Sequence, residues 1–449
     1  MKKNTASQPA RSRAATRPAA LAALLAFAAP LFAPDGARAS DSGPLLDTLA
    51  RKGVITAQEA EDLRAELSAE NNASLFAQIA KGKVTQSLTF SGRLQVQYNG
   101  FSDNVDGNSP TSHVFLRRVY FGVDASLPKD FSASLNYDFA ASSFDKLFIS
   151  WNPKLGANPL SHLSLDVGLR KVNLGLEETT SSGSLESIER SAATRYFAED
   201  FNGRRLGGAS YRIGVFLDGN KSAASGKSAG FFYGAAITNP ERVGTVTSIG
   251  DAVTNTVALW GNLGFTQMLG KEAKFTGGMG AGIIPGQGGV YKDAAGATKT
   301  SENDDLVVES IYGTLTAGKF TLKAEVLVSM SENDTIAYGA NKGKKQDTNA
   351  WGFWIQPSFR VIDELEVVAR YSYLDSDGRG IKLSDGVRNA PSAKSATAKA
   401  LHEWYCGLNY YIIGNDVKLQ LGYAGGKAVA ATGKDETAHG FRSQFQVNF

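Results

Sequence analysis

Gly440-Phe-Arg-Ser-Gln-Phe-Gln-Val-Asn-Phe449 puts Phe441, Phe445, Val447 and Phe449 on one face of an extended chain and Arg442, Gln444, Gln446 and Asn448 on the other. Successive side chains of a strand point to opposite faces, so this stretch has an oily side and a wet side. An open strand edge cannot be satisfied in hydrocarbon, where no water replaces the missing hydrogen bonds. If the oily side meets lipid, other strands must close the sheet into a cylinder.

Working back from this end, the same two-residue period recurs to Ser87. It begins with Leu88, Phe90, Leu94, Val96 and Tyr98 against Arg93, Gln95, Gln97 and Asn99. Phe131 to Phe139, Leu163 to Leu169, Phe320 to Val326 and Leu365 to Tyr371 repeat it. Segments of about ten residues with a polar face and an aromatic-rich apolar face are the signature of outer-membrane strands. Tight turns are expected at Pro128-Lys129-Asp130, Gly270-Lys271-Glu272, Ala317-Gly318, Ile362-Asp363-Glu364 and Gly414-Asn415-Asp416. Longer loops are expected around 101–112, 173–204, 285–304, 332–349, 375–400 and 426–438. Short periplasmic turns alternating with long outer loops give an all-β fold, a transmembrane antiparallel barrel of roughly sixteen strands. A cylinder of that size encloses water, so transport is the default consequence.

Composition agrees. Of 449 residues, 42% are apolar and 20% charged, and the mean hydropathy is -0.19. A membrane-spanning helix needs about 20 consecutive apolar residues, and only the N-terminus approaches that. There Lys2, Lys3, Arg11, Arg13 and Arg17 precede an Ala/Leu-rich run from Ala19 to Ala33 and then Ala37-Arg38-Ala39. That order reads as an export signal over residues 1–39, with a short membrane anchor as the alternative. Removing it takes away six Lys/Arg and one Asp, leaving 41 basic and 43 acidic residues and a formal charge of −2. Overall basicity therefore gives no ground for a nucleic-acid partner.

A single cysteine, Cys406, rules out an internal disulfide. His113, His162, His402 and His439 lack metal-ligand spacing, so neither metal nor cofactor is expected. Residues 40–86 form a separate segment. In it Thr56 and Glu59 make a capping box for a helix of about Ala57 to Glu70, with Leu63 and Leu67 on one edge. This periplasmic helix would pair with copies of itself or serve as a spacer.

With the apolar phase facing lipid, the opposite phase assigns the lumen. The inward basic set is Arg93, Arg118, Arg170, Arg212, Lys323, Arg360, Arg370, Lys418 and Arg442; the inward acids are Asp124, Asp138, Asp166, Glu325 and Glu366. Nine against five leaves an excess of positive charge, which raises the local concentration of anions because low-dielectric walls focus the field. The competing expectation is that these groups pair with neighbouring carboxylates and give weak selectivity. From Leu174 to Arg205 the patterning stops and charge crowds in, including Glu189, Arg190, Arg195 and Arg204. Such a loop either folds inward as a constriction or outward as a lid.

Several stretches taken in order resemble the phosphate-selective porin O and P family. Leu116-Arg-Arg-Val-Tyr-Phe-Gly-Val123 looks like the family's early Arg-Arg strand. Gly168-Leu-Arg-Lys-Val-Asn-Leu-Gly-Leu-Glu177, Thr180-Ser-Ser182 and Glu189-Arg190 are similar to its loop signature, with Asn173-Leu174 where Pro-Phe is usual. Leu322 to Glu325, Val367 to Asp375, Gly407 to Tyr411, Asp416 to Leu421 and Phe449 also fit, as does the leader Leu45 to Leu63. The resemblance implies sixteen strands, a homotrimer in outer-membrane lipid and passage of small anions and other hydrophilic solutes, phosphate included. It also implies a constriction built with the third loop, where arginines guide and lysines select. Two other classes compete: a barrel hydrolase with an outer-face Ser/His pair, and an envelope tether acting through the periplasmic helix.

Overall fold

In a computed structural model, the residues described are 85–104, 110–153, 163–199, 202, 204–240, 256–288, 290–292, 298–300, 305–392 and 397–449. The export signal of 1–39 and the helical segment, up to residue 84, lie outside them. The chain divides into units of 1–79 and 80–449, and the second is the barrel.

Its strands are β1 (Ser87–Asp103), β2 (Thr111–Ser126), β3 (Phe131–Asp138), β4 (Ser143–Trp151), β5 (Leu163–Lys171), β6 (Tyr211–Gly219), β7 (Gly230–Thr238) and β8 (Ala258–Met268). They continue as β9 (Ala273–Ile284), β10 (Leu306–Ala317), β11 (Phe320–Thr335), β12 (Trp351–Ile362), β13 (Leu365–Asp375), β14 (Ala398–Ile413), β15 (Val417–Ala430) and β16 (Glu436–Asn448). A short piece, Lys345–Thr348, pairs with the end of β11 and runs on into β12, so the two occupy one place in the wall. Each strand pairs antiparallel with its neighbours, and β1 closes on β16 from Arg93↔Asn448 to Asp103↔Ala438. The result is a closed sixteen-stranded antiparallel barrel.

The terminal stretch sits as its alternation requires. Phe441 and Phe445 are exposed on the outer surface, and Arg442, Gln444 and Gln446 are buried on the inner one. Phe449 continues the seam, since its carbonyl accepts from the Gly92 N–H at 2.7 Å and its own N–H donates back at 3.1 Å. The Phe449 ring lies over Gly92, 2.2 Å from where a Cβ would stand, so a side chain there would displace the ring. Outward rings gather near both rims: Phe90 with Phe121 and Phe131 with Trp151 near one, Trp351 with Tyr373 and Tyr423 with Phe441 near the other. Such belts mark the two interfaces of an outer-membrane barrel.

The five tight turns fall where expected and share one rim. In the first, Lys129 and Asp130 take φ of 60° and 63°, the left-handed pair that a two-residue reversal requires. The alternation breaks at three connections, one of them the eleven residues between Trp151 and Leu163 on the tight-turn rim. The 139–142 turn on the opposite rim is short, and 220–229 on the tight-turn rim holds a helix, Lys221–Ala224, whose Ala223 is buried.

Candidate constriction of the lumen

The segment between β5 and β6 folds into the barrel. Its entry is fixed by Glu325 on β11, whose carboxylate accepts from Leu176 N at 3.0 Å, Glu177 N at 3.2 Å, Ser310 Oγ at 2.7 Å and Trp354 Nε1 at 2.9 Å. Those two backbone donors open a one-turn helix, α1 (Leu176–Thr179). Gly175 before it has φ 81°, and a Cβ there would stand 2.5 Å from Glu325 Oε1, so glycine alone permits the approach. Further on, α2 (Ala192–Ala198) is capped by Ser191 and wholly buried. Its first two N–H groups donate to Glu403 Oε2 at 2.9 Å and Ser372 Oγ at 3.1 Å.

Strands β10 to β16 hold the loop along its length. Lys418 donates to the Leu185 carbonyl at 2.9 Å, Asn409 to that of Glu186 at 2.8 Å and Gln446 to that of Gly183 at 3.0 Å. Lys323 pairs with Glu186 at 2.6 Å. Arg370 reaches Glu177 at 2.9 Å and Glu403 at 2.6 Å. Every loose carbonyl of an irregular chain crossing a barrel needs a donor, and this wall supplies them.

The opposite side of the loop borders a cavity of about 550 Å³ against β1 to β6. Of the nine inward basic residues, Arg93, Arg118 and Arg170 line it. The others face inward without bordering the cavity. Arg370 and Lys418 lie beneath the loop, and Arg212 is buried with its guanidinium on the Gly207 carbonyl at 2.7 Å and over the Trp260 ring. Lys323 is taken up by Glu186, and Arg442 donates to the Arg388 carbonyl over the Phe101 ring. Arg360 sits near the tight-turn rim, over Tyr411 and bonded to the Asp363 carbonyl at 2.8 Å. Among the acids, Asp138 and Asp166 line the cavity. Glu325 is consumed by loop docking, Glu366 accepts from Tyr411 at 2.6 Å, and Asp124 accepts from Ser134 at 2.5 Å.

Within the loop, Arg190 borders the cavity and pairs with Glu178 at 3.1 Å. Glu189 is gripped by Arg117 at 2.6 Å. Arg195 pairs with Glu199 at 3.1 Å, and Arg204 with Asp385 at 2.6 Å, outside the cavity. Burial alone raises the Glu189 carboxyl, but Arg117 and Arg388 outweigh it and hold the group well below the ordinary carboxylate range. Burial likewise raises Glu199, and Arg388, Arg195 and Arg205 overturn that effect.

Six further cations line the cavity without having been read from the two-residue period: Arg117, Lys146, Lys171, Arg205, Lys221 and Arg388. Arg117 owes its position to a β-bulge, and a second bulge turns Asp145 inward beside Lys146. On β2 the register passes from Gln95↔Arg118 to Val96↔Leu116, so Arg117 is the extra residue and points inward beside Arg118. On β4 it passes from Asn136↔Lys146 to Tyr137↔Phe144, and Asp145 and Lys146 both border the lumen. A bulge re-aims a side chain and recurs beside functional sites. The signal was in the doublets themselves. Strict alternation would send one guanidinium of Arg117-Arg118 into lipid, at about 2–4 kcal/mol near the midplane.

In most of the ion pairs along the cavity the cation is the more exposed partner; Glu199 is the exception, 15% exposed against 15% for Arg205 and 3% for Arg195. Arg117 is 16% exposed against 2% for Glu189, Lys171 22% against 3% for Glu178, and Arg170 14% against 1% for Asp166. Arg93 and Arg118 bond only neutral partners among the described residues: Ser181, Ser182 and Asn448 for the first, Gln95 for the second.

A closed barrel with outward aromatic belts, an inward-folded loop and a water-accessible, cation-faced opening defines an outer-membrane diffusion channel. The chain belongs to the phosphate-selective porin O and P family, whose model matches residues 88–449. No curated protein sequence matches it significantly. In fold it is similar to the outer membrane channel DcaP of Acinetobacter baumannii, at 12% identity over 80% of this chain and 97% of that one, with a TM-score of 0.51. The anion-selective porin of Comamonas acidovorans gives 11%, 80%, 99% and 0.51, and OprB of Pseudomonas putida 9%, 81%, 94% and 0.50.

Proposed function

We propose that this porin passes small hydrophilic solutes by passive diffusion with a preference for anions, phosphate-type oxyanions among them, and that it is a channel rather than an enzyme. The observation that carries this reading is the layering of charge along the cavity: guanidinium and ammonium groups toward water, carboxylates behind them. A paired wall of that kind still presents a positive surface, because the field falls with distance and water screens the rear charge more. An entering oxyanion exchanges part of its hydration for charge-assisted hydrogen bonds, and several weak sites in succession let it leave. On this reading the long-loop rim faces outward and the tight-turn rim faces the periplasm, where residues 40–86 would lie.

A homotrimer fits the wall. Strands β3 to β7 have 8, 9, 9, 9 and 9 residues, against at least 11 in every other barrel strand. Tilted at about 40°, they span roughly 20–23 Å, less than the ~25 Å apolar band of a lipid-facing barrel, so this sector is suited to contact between subunits. The hydrolase reading has no matching feature in the described residues: the outward His402 bonds Tyr371 at 2.7 Å, not a serine.

Reversal potentials across planar bilayers under a salt gradient test the proposal, with conductance compared in chloride, phosphate and sulfate. Anions are expected to carry more current, and Arg118→Ala and Arg170→Ala each to lower the preference. Arg170→Ala should lower it further, since it also uncovers Asp166 and Asp218. Cation selectivity in the unaltered protein would reject the proposal.

A further inference from the structure

Arg388 reaches the constriction from outside the long loop. It lies in the segment between β13 and β14, just after a short helix, α3 (Leu383–Gly386). That helix is seated on the constriction loop. The Gly386 carbonyl accepts from Arg195 Nη1 at 2.8 Å, and Asp385 holds Arg204 at 2.6 Å. From this seat Arg388 Nη2 donates to both Glu199 oxygens, at 2.7 and 2.6 Å, and its Nε lies 3.0 Å from Glu189 Oε2. Its side chain is 25% exposed, against 15% for Glu199 and 2% for Glu189. One guanidinium therefore sits on two loop carboxylates, Glu199 bordering the cavity and Glu189 buried behind it, and presents its own charge in their place.

We infer that Arg388 is a specificity-determining residue of the channel: borne by a second loop, it sets the charge preference of the constriction by masking Glu189 and Glu199 from the permeating ion. The inference rests on the reading that solutes pass along this face. The masking is electrostatic, and the loop has its own fastenings in Glu325, Arg370 and Lys418. Charge preference should therefore change without a change in pore size.

The test measures reversal potential, single-channel conductance and exclusion of neutral polymers for the full-length protein and for Arg388→Gln, Arg388→Lys and the triple variant Arg388→Gln/Glu189→Gln/Glu199→Gln. Arg388→Gln should lower the anion-to-cation permeability ratio about three- to tenfold, the size expected for one unit charge several ångströms from an ion in water. Arg388→Lys should retain most of the preference and the triple variant should restore it, with conductance and polymer cut-off unchanged throughout. Heat-modifiable migration on gels verifies that each barrel is folded. An altered polymer cut-off with an unaltered permeability ratio in Arg388→Gln, or no recovery in the triple variant, overturns the inference. If the unaltered protein shows no anion preference, the underlying functional reading fails instead.

Discussion

The two sides of the lumen are built by the same alternation yet do different work. Along β10 to β16 the inward residues are largely amides and tightly paired charges, pressed against the loop: Asn409, Gln420 and Gln446 bond its carbonyls, and Arg370 is locked between Glu177 and Glu403. Along β1 to β6 part of the inward wall borders the cavity instead, Arg93, Arg118, Lys146 and Arg170 among it. There Arg93 and Arg118 bond only neutral partners among the described residues, and a bulge brings Arg117 inward beside them. Facing inward is thus necessary but not sufficient for contact with solute. The loop decides which half of the wall is a scaffold and which is a channel surface.

The sharpest way to break this contrast is to remove the loop. Replacing residues 176–204 by a short Gly/Ser linker should raise single-channel conductance several-fold, since the covered wall would then border open water. Anion preference should fall with it, because Arg190 and the loop hydroxyls that orient Arg93 leave together. Bilayer recordings would show it, and conductance equal to that of the intact protein would mean the loop does not narrow the path.

A smaller effect separates scaffold from surface. Arg370→Ala leaves Glu177 and Glu403 buried without their shared partner, and breaking a buried pair on one side costs about 3–5 kcal/mol. Arg118→Ala loses one hydrogen bond to Gln95 beside open water, worth about 0.5–3 kcal/mol. The temperature at which the folded gel band converts to the unfolded one should fall much more for Arg370→Ala. Equal shifts would show that the two walls are not energetically distinct.

The barrel itself was legible because a two-residue period survives at every strand, and because Asp130, Gly318 and Gly414 stand where tight reversals demand left-handed backbone. The inward phase of the nine basic residues followed from that period alone. What it did not carry was the register shift at Arg117 and Asp145, since a bulge inserts a residue without changing composition. Nor did it carry depth. Whether Lys418 or Arg93 meets solute depends on where a distant loop lies, and that loop is placed by Glu325, a carboxylate that alternation marks only as inward. Arg388 was invisible for the same reason, as its segment has no period and its partners are nearly two hundred residues away.

The smallest effect concerns pH. Two carboxylates of the loop respond in acid, since Glu189 and Glu199 both lie well below their ordinary range. A carboxyl depressed in the folded protein contributes its anchoring fully above the unfolded pKa of about 4.3, and the contribution is lost as pH falls through the lower folded value. Protonation of Glu189 and Glu199 should therefore alter conductance and reversal potential only in acid stronger than about pH 5, by loosening the loop on the side where Arg117 and Arg388 hold it. Recordings at stepped pH on one bilayer read this directly. A titration step between about pH 5 and 7 would place a different group, with a raised value, in control of the constriction.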